Sequence, residues 1–330
     1  MHQDFFGHGQ REGFFCNLQQ LRWGNGGLRC FARTAPSGEP RATRVVGMQL
    51  LLLLLCCACA RALTWTHLGI NGQLWQFESG TRILVDPILE GDLSFFGLPG
   101  LYTATQRVPC GSALRNALLA GDFDALLLSQ GWEDHAHPPT LSALKAAGAL
   151  GPGVPIIGPP SAAKAVASCG LSGSFVELAH GGSQRVRDVT VRAVPGALLG
   201  PPWARRENAL CATGGGEPSG GGIFYEPHGE WGADRSLVEL APEVSILVAP
   251  AVAMKVGPLF ELVHGAGALC RASELLRPRT AVALLNGDID ATGLSAPFVF
   301  EEGSFEDSAR ALKDVGVTLI TPTTGVPVQL

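Results

Sequence analysis

A short strand followed by a charged loop constrains the fold of this chain more than any other feature. Residues Asp124–Ser129 (Asp-Ala-Leu-Leu-Leu-Ser) form an apolar run of the kind that is buried on both faces of a sheet. A polar loop, Gln130–His137, follows it, and Pro138-Pro139 then precede a predicted helix over Leu141–Ala147 with Thr140 as its N-cap. This order of strand, loop and helix indicates an α/β arrangement.

The segments on both sides extend this order. Before the apolar run, three predicted strands follow one another at Leu63–His67, Gly72–Glu78 and Thr81–Asp86. After it, predicted strands at Val154–Gly158, Ser183–Val186, Val189–Val194, Ile223–Glu226, Val244–Ala249, Thr280–Leu285 and Val317–Thr321 are interspersed with predicted helices at Ser161–Ser168, His264–Leu276 and Phe305–Asp314. Strands first alone, and then alternating with helices, predict a mixed α/β layered domain.

The first 62 residues differ in composition from the rest, with seven arginines and three acidic residues. Their apolar run, Leu50–Ala60, is shorter than the roughly 20 residues that a membrane-spanning helix needs. Three interpretations stay open: a secretory leader over Met48–Ala62, an arginine-rich organelle transit segment, and a start codon assigned too early. We predict one domain over residues 63–330 and a chloroplast location, with the secretory pathway and the cytoplasm as alternatives.

The remainder of the chain is acidic, with 17 basic and 26 acidic residues. An acidic body without a basic stripe repels phosphate backbones, so we expect no nucleic-acid partner. Its four cysteines are widely spaced and form no Cys-x-x-Cys pair, which favours free thiols over a zinc knuckle or a redox motif. We expect a small-molecule ligand and no stable membrane span, and the sequence leaves the oligomeric state open.

The loop Gln130–His137 concentrates side chains that bind metals or move protons. Glu133, Asp134, His135 and His137 place two acids and two histidines within five residues. Strand ends that lead into helices are where α/β proteins bind their ligands. The loop is therefore a candidate site, and the alternative is a solvated loop whose aspartate caps the helix.

The sequence around this loop resembles the metallo-β-lactamase superfamily. That family carries a strand followed by His-x-His-x-Asp-His, and Gln130–His135 stands in the same frame. Leu84-Val85-Asp86-Pro87 is similar to a turn of the ascorbate-6-phosphate lactonase-like branch. Uncharacterised plant, algal and cyanobacterial relatives with a degenerate motif share further strings at Ile83–Gly97, Leu199–Asn208, Tyr225–His228 and Asn286-Gly287. The resemblance spans roughly residues 63–330 and implies an αββα sandwich with its site at the mouth between two sheets.

The resemblance also identifies changed metal ligands. Gln130 and Trp132 replace the first two histidines of the motif, and an amide is a poor zinc ligand while an indole offers no lone pair. Leu285 replaces the last histidine, and no histidine lies near residues 195–199. We therefore predict that the usual two-metal centre is absent, that β-lactams are not hydrolysed, and that Trp132 forms an apolar wall of a narrowed pocket.

Other ligand positions are retained. Asp134 and His135 match the motif, Glu226 replaces the bridging aspartate, and His228 lies two residues beyond it. These four side chains predict a site for one divalent zinc, manganese or iron ion, with Asp134 as the catalytic group. The implied function is hydrolysis of a small ester, lactone or phosphoester. The alternative is a non-catalytic binding or scaffold protein that kept the fold and lost the metal.

A second candidate patch lies at the Pro201-Pro202 turn. Trp203 and Arg206 could stack a ring and clamp a carboxylate or phosphate there. The alternative is a surface pair of Arg206 with Glu207 and a Trp203 packed on the turn. Asn286, in a string shared with the relatives, is the remaining predicted substrate-binding residue.

Overall fold

The computed structural model describes residues 63–214, 221–258 and 260–330. Within this part, the chain forms two seven-stranded sheets, two three-stranded sheets and six α-helices. None of these helices is long and apolar enough to cross a membrane. The predicted leader and cellular location concern residues 1–62, which lie outside the described residues.

The strands are short and follow one another closely along the chain. In chain order they are β1 (Leu63–Gly69), β2 (Gly72–Phe77), β3 (Arg82–Val85), β4 (Leu93–Ser94), β5 (Thr103–Gln106), β6 (Ala125–Leu127), β7 (Ile156–Gly158), β8 (Phe175–Glu177), β9 (Ser183–Val186), β10 (Val189–Pro195), β11 (Asn208–Gly214), β12 (Gly222–Tyr225), β13 (Val244–Pro250), β14 (Ala253–Val256), β15 (Phe260–Val263), β16 (Thr280–Leu284), β17 (Ile289–Thr292), β18 (Val299–Glu302), β19 (Thr318–Ile320) and β20 (Pro327–Gln329). The helices are α1 (Ser112–Leu119), α2 (Pro138–Ala146), α3 (Ala162–Ser168), α4 (Asp234–Leu240), α5 (Ala266–Leu276) and α6 (Phe305–Asp314).

The two large sheets have related topologies. The first has the order β20-β1-β2-β3-β6-β7-β8, and the second has the order β19-β16-β13-β12-β11-β10-β9. In each sheet antiparallel hairpins form one part, and parallel strands connected through helices form the other. The two small sheets have the orders β15-β14-β18 and β17-β5-β4.

Strand alternation explains why the large sheets are covered on both faces. In β3, Ile83 and Val85 join the core between the sheets, whereas Leu84 joins an outer core. In β12, Tyr225 points to the same inner core while Phe224 points to the other outer core. Successive side chains of a strand point to opposite faces, so a continuous apolar run supplies two cores at once.

Helices cover each outer face. The outer core of the first sheet includes Leu118 of α1 and Leu141 of α2. The outer core of the second sheet includes Leu237 of α4, Leu269 of α5 and Leu312 of α6. The predicted αββα sandwich is therefore confirmed.

The helix after the charged loop begins earlier than predicted. α2 starts at Pro138, and His137 rather than Thr140 is its N-cap. Proline suits the first helical position because its fixed φ is helical and no N–H is needed there. Thr140 is buried inside the helix instead, where its hydroxyl accepts the backbone N–H groups of Leu89 and Glu90.

Candidate functional site

A buried aspartate organises the mouth between the two sheets. Asp86 directly follows β3, has a left-handed backbone (φ 43°) and is fully buried. Its carboxylate accepts the backbone N–H of Ser129 at 2.7 Å and the hydroxyl of Tyr225 at 2.8 Å, and its Oδ2 lies 2.8 Å from His135 Nδ1. Asp86 thereby connects the ends of β3, β6 and β12. From the sequence, Asp86 and Tyr225 were recognised only as parts of shared strings and were not predicted as site residues.

The acidic residue next to His135 completes a charged cluster. Asp134 Oδ2 lies 3.2 Å from His135 Nε2, so the imidazole stands between two carboxylates. Burial acts to lower the pKa of His135, but the charges of Asp134 and Asp86 outweigh it and raise that pKa to about 10. Burial acts to raise the pKa of Asp134, but the charge of His135 outweighs it and holds that pKa below its usual value. The raised pKa keeps the His135 ring protonated at neutral pH, between Asp134 and Asp86.

Asn71, in the turn between β1 and β2, contacts both Asp134 and His135. Its amide nitrogen lies 3.3 Å from Asp134 Oδ2 and 3.3 Å from His135 Nε2. It also donates to the backbone carbonyl of Asp134 at 3.3 Å. Asn71 was not identified from the sequence because the Asn71-Gly72 pair reads only as a turn.

His228 lies beside the cluster and is neutral. Its ring centroid is 5.8 Å from that of His135. Its Nδ1 donates to the Leu262 carbonyl at 2.8 Å, and its Nε2 lies 3.3 Å from the side-chain amide of Gln130. Burial, aided by the charge of His135, lowers the pKa of His228 to about 4.

Glu226 serves the backbone of its own turn. Its Oε2 accepts the N–H groups of His228 at 3.0 Å and Glu230 at 2.6 Å. Burial raises the pKa of Glu226 to about 8, so the carboxyl group is mostly protonated at neutral pH. These contacts hold the turn after β12 and do not direct the carboxyl group at the other predicted metal ligands.

The residues present do not fit the metal centre that the family resemblance implies. Gln130, Trp132 and Leu285 stand at three of its histidine positions. In the described parts of the chain, no three His, Cys, Asp or Glu side chains converge in an arrangement suited to one ion. Of the four side chains predicted to bind zinc, manganese or iron, Asp134 and His135 lie together and His228 lies beside them, whereas Glu226 accepts backbone N–H groups of its own turn.

The position of Asn71 gives a second reason. Zinc lies about 2.0–2.2 Å from its nitrogen and oxygen ligands. An ion bound to Asp134 Oδ2 and His135 Nε2 on the Asn71 side would overlap the amide nitrogen, which is 3.3 Å from both atoms. A neutral amide thus fills space beside the retained acid and histidine.

A small apolar cavity opens next to these residues. Its volume is about 220 Å³, below the roughly 300–1,000 Å³ that is typical of pockets for drug-sized ligands. Its walls come largely from the two small sheets and their connections: Ile70, Leu93, Phe95, Leu101, Tyr102, Pro227, Met254, Val256, Leu262, Val263, Ile289, Ser295 and Val299. Besides the hydroxyl groups of Tyr102 and Ser295, the polar side chains of Asn71, Asp134, His228 and Asn286 line it. Apolar walls with a few grouped polar side chains are typical of small-molecule sites.

The other predicted substrate-binding residues lie elsewhere. Trp132 is not among the residues that line the cavity, so the apolar wall expected from it comes from other side chains. Trp203 is 85% exposed, neither at the cavity nor packed on its turn. Arg206 donates to the carboxylate of Glu230 at 2.8 Å. It does not pair with Glu207, which is buried and accepts the Ser161 hydroxyl at 2.5 Å.

Comparison with known proteins agrees with this fold. The model of the beta-lactamase superfamily domain matches residues 63–284, about two thirds of the chain, and the chain therefore belongs to that superfamily. No curated protein matches the sequence significantly. Members of this superfamily usually bind divalent metals at the mouth of the sandwich, which is where the Asp86–Asp134–His135 cluster lies.

Solved structures with this fold are distant in sequence. A metallo hydrolase from Ignicoccus hospitalis, Igni18, superposes with a TM-score of 0.55 at 12% identity over 81% of this chain and 97% of that protein. A possible metal-dependent hydrolase from Veillonella parvula gives 0.56 at 15% identity over 81% and 99%. An isothiocyanate hydrolase from Delia radicum gut bacteria gives 0.53 at 16% identity over 80% and 98%. At these identities the likeness supports the fold alone.

Proposed function

We propose that the chain is a divergent hydrolase that cleaves a small, uncharged ester or lactone in the cavity beside Asp134. One observation carries the proposal: Asp134 is the single carboxylate among the residues that line this cavity. Its place in the cavity, beside the site that the superfamily uses, supports a role for this carboxylate in the reaction. The resemblance to the ascorbate-6-phosphate lactonase-like branch supports a lactone among the possible substrates.

In the proposed reaction Asp134 acts as a general base. It takes a proton from a water molecule as the water oxygen attacks the substrate carbonyl carbon. The ester carbon–oxygen bond then breaks, and the proton returns to the leaving oxygen. Asn71 and His135 hold the carboxylate in place, and the Asn286 amide is the proposed donor to the carbonyl oxygen.

The charges at the cavity favour neutral substrates over phosphoesters. Its lining residues in the described part of the chain include Asp134 and no lysine or arginine. A phosphoester would bring a negative charge beside this carboxylate, and like charges repel strongly at a site with little water. Among the three predicted substrate classes, esters and lactones are therefore preferred.

The lowered pKa of Asp134 limits how reactive the site can be. A carboxylate of low pKa is a weak general base, so the proposed chemistry suits electrophiles that need little assistance, such as strained lactones. It also predicts a rate that does not fall between pH 8 and 5 through protonation of Asp134.

The test is hydrolysis of a panel of γ- and β-lactones and methyl esters by the full chain. Asp134→Asn should lower kcat by about 10²–10⁴-fold, the usual contribution of a general base. The matched control is Glu133→Gln, which removes the same charge one residue away and outside the cavity lining, and should leave kcat unchanged. Equal rates for wild type and Asp134→Asn would refute the proposed base.

A second candidate is a non-catalytic small-molecule binder. It is favoured by the Asn71 amide, which lies against Asp134 and His135 in the space that an ion bound to both would need. In that case the panel would bind in the cavity, and neither wild type nor variant would release product.

A further inference from the structure

Several large exposed apolar side chains belong to, or are backbone neighbours of, the residues that line the cavity. We call this set the apolar rim, and it consists of Leu98, Leu101, Phe260, Leu294 and Phe298. All five are exposed, Leu294 by 80% and Phe298 by 59%. Single exposed apolar residues are common, but several large ones grouped at a cavity mark a binding surface.

One half of the rim is held together by backbone hydrogen bonds. The N–H of Leu294 donates to Gly100 at 3.1 Å, and that of Ser295 donates to Leu101 at 2.9 Å. Gly293, directly before Leu294, has φ +103°, and a Cβ on it would lie 2.6 Å from the Leu101 carbonyl oxygen. The two segments approach so closely that only glycine fits, and this fixes Leu294 beside Leu101.

The other half is tied to the small sheet of β14, β15 and β18. Val256 pairs with Phe260 on one side and with Val299 on the other. Phe298 precedes Val299 and accepts the Gly257 N–H at 2.7 Å. Phe260 and Phe298 therefore stand on either side of one turn.

The rim is continuous with the cavity. Leu101 belongs to both, and the cavity-lining residues Val256, Ser295 and Val299 are backbone neighbours of the rim. The cavity itself, at about 220 Å³, holds only a small group. A ligand with its polar group near Asp134 and a longer apolar part must extend over this rim.

We propose that the apolar rim binds the hydrocarbon tail of the substrate, so that the natural substrate is an ester or lactone carrying a long alkyl or acyl chain. This inference rests on the proposed function and specifies its substrate class. The continuity of rim and cavity favours the tail of the ligand over a separate partner, because one molecule can cover both surfaces without a break.

The experiment separates binding from hydrolysis. Butyl-, octyl- and dodecyl-substituted γ-lactones are compared with the matching alkylcyclopentanones, which have the same shape but no ester bond to cleave. Binding of the ketones to the full chain is measured by calorimetry, and turnover of the lactones by product release. We expect ketone affinity to rise about two- to fourfold per added methylene until the rim is covered.

Rim variants test where this gain arises. Leu294→Ser and Phe298→Ser should each lower the dodecyl-ketone affinity about four- to eightfold, an estimate of two to three lost methylene contacts at half burial, and leave the butyl-ketone affinity unchanged. Val238→Ser, which changes an apolar side chain that is also exposed (45%) but lies outside the rim, is the control and should keep the chain-length dependence.

Two results would overturn the inference. One is equal affinity of the wild type for butyl and dodecyl ketones. The other is an increase of ketone affinity with chain length that persists in Leu294→Ser and Phe298→Ser. If these variants also convert a dimer into a monomer in sedimentation experiments, the rim is a contact between two copies of the chain and not a binding site for the tail. If ketone affinity depends on chain length but no lactone is hydrolysed, the rim binds the tail and the proposed hydrolysis is refuted. If lactones are hydrolysed but affinity does not depend on chain length, the hydrolysis is supported and the role of the rim is refuted.

Discussion

Replacing Asp86 by asparagine is expected to destabilise the whole sandwich. The Asp86 carboxylate is fully buried and accepts hydrogen bonds from Ser129 N–H, Ser129 Oγ and Tyr225 OH, with His135 Nδ1 at 2.8 Å. An asparagine keeps the size and tolerates the left-handed backbone, but its NH₂ group faces donors, so at least one buried N–H loses its acceptor. The buried imidazolium also loses one of its two carboxylates.

The expected loss of unfolding free energy follows from the interactions that Asp86→Asn removes. Removing one partner of a buried ion pair costs about 3–5 kcal/mol, and an orphaned buried donor costs about 1–3 kcal/mol within that total. Urea unfolding of Asp86→Asn should therefore show a free energy of unfolding lower by about 3–5 kcal/mol with an unchanged m-value.

Asp122→Asn is the matched control, because it breaks the pair of Asp122 with Arg82 at the exposed end of the same strand. An exposed ion pair contributes less than about 1 kcal/mol. If Asp86→Asn also costs less than about 1 kcal/mol, Asp86 does not organise the site and the reasoning fails.

Three further predictions concern the same cluster. The folded protein should lose stability as pH rises from 6.5 towards 10, because folded His135, with its pKa raised to about 10, keeps a proton that the unfolded ring releases. Urea unfolding of His135→Gln over the same pH range should not show this loss. Glu226→Gln should become more stable relative to the wild type as pH rises from about 4.5 to 8, because the folded carboxyl group, with its pKa raised to about 8, keeps a proton that the unfolded chain releases; urea unfolding at these two pH values measures the difference. Gln130→His with Trp132→His should not create a two-zinc site, measured by calorimetry, because Leu285 offers no ligand.

Elements with a distinctive local pattern could be located from the sequence, and elements without one could not. The strand within Asp124–Ser129 has apolar side chains on both faces, and α6 has a serine cap at Ser304 followed by an amphipathic pattern, so each stands out locally. β15 and β18 were missed because they are four residues long and mostly exposed. Their stability comes from pairing with β14, a contact that no local pattern encodes.

The candidate site was located only in part. Asp134 and His135 were found because they keep a spacing that the superfamily shares. Asn71 comes from a turn 63 residues before Asp134, and its amide reads as turn chemistry until the fold brings the two together. Glu226 could be placed at the correct strand end, but the direction of its carboxyl group depends on the N–H groups of the following turn.

The most direct test of this account is a zinc titration of the full chain, purified without chelators and analysed by elemental analysis and calorimetry. The account predicts no tightly bound zinc, because Gln130, Trp132 and Leu285 cannot act as the family's ligands and the Asn71 amide lies against Asp134 and His135. Two equivalents of tightly bound zinc per chain, lost on replacing Asp134 by alanine, would contradict it.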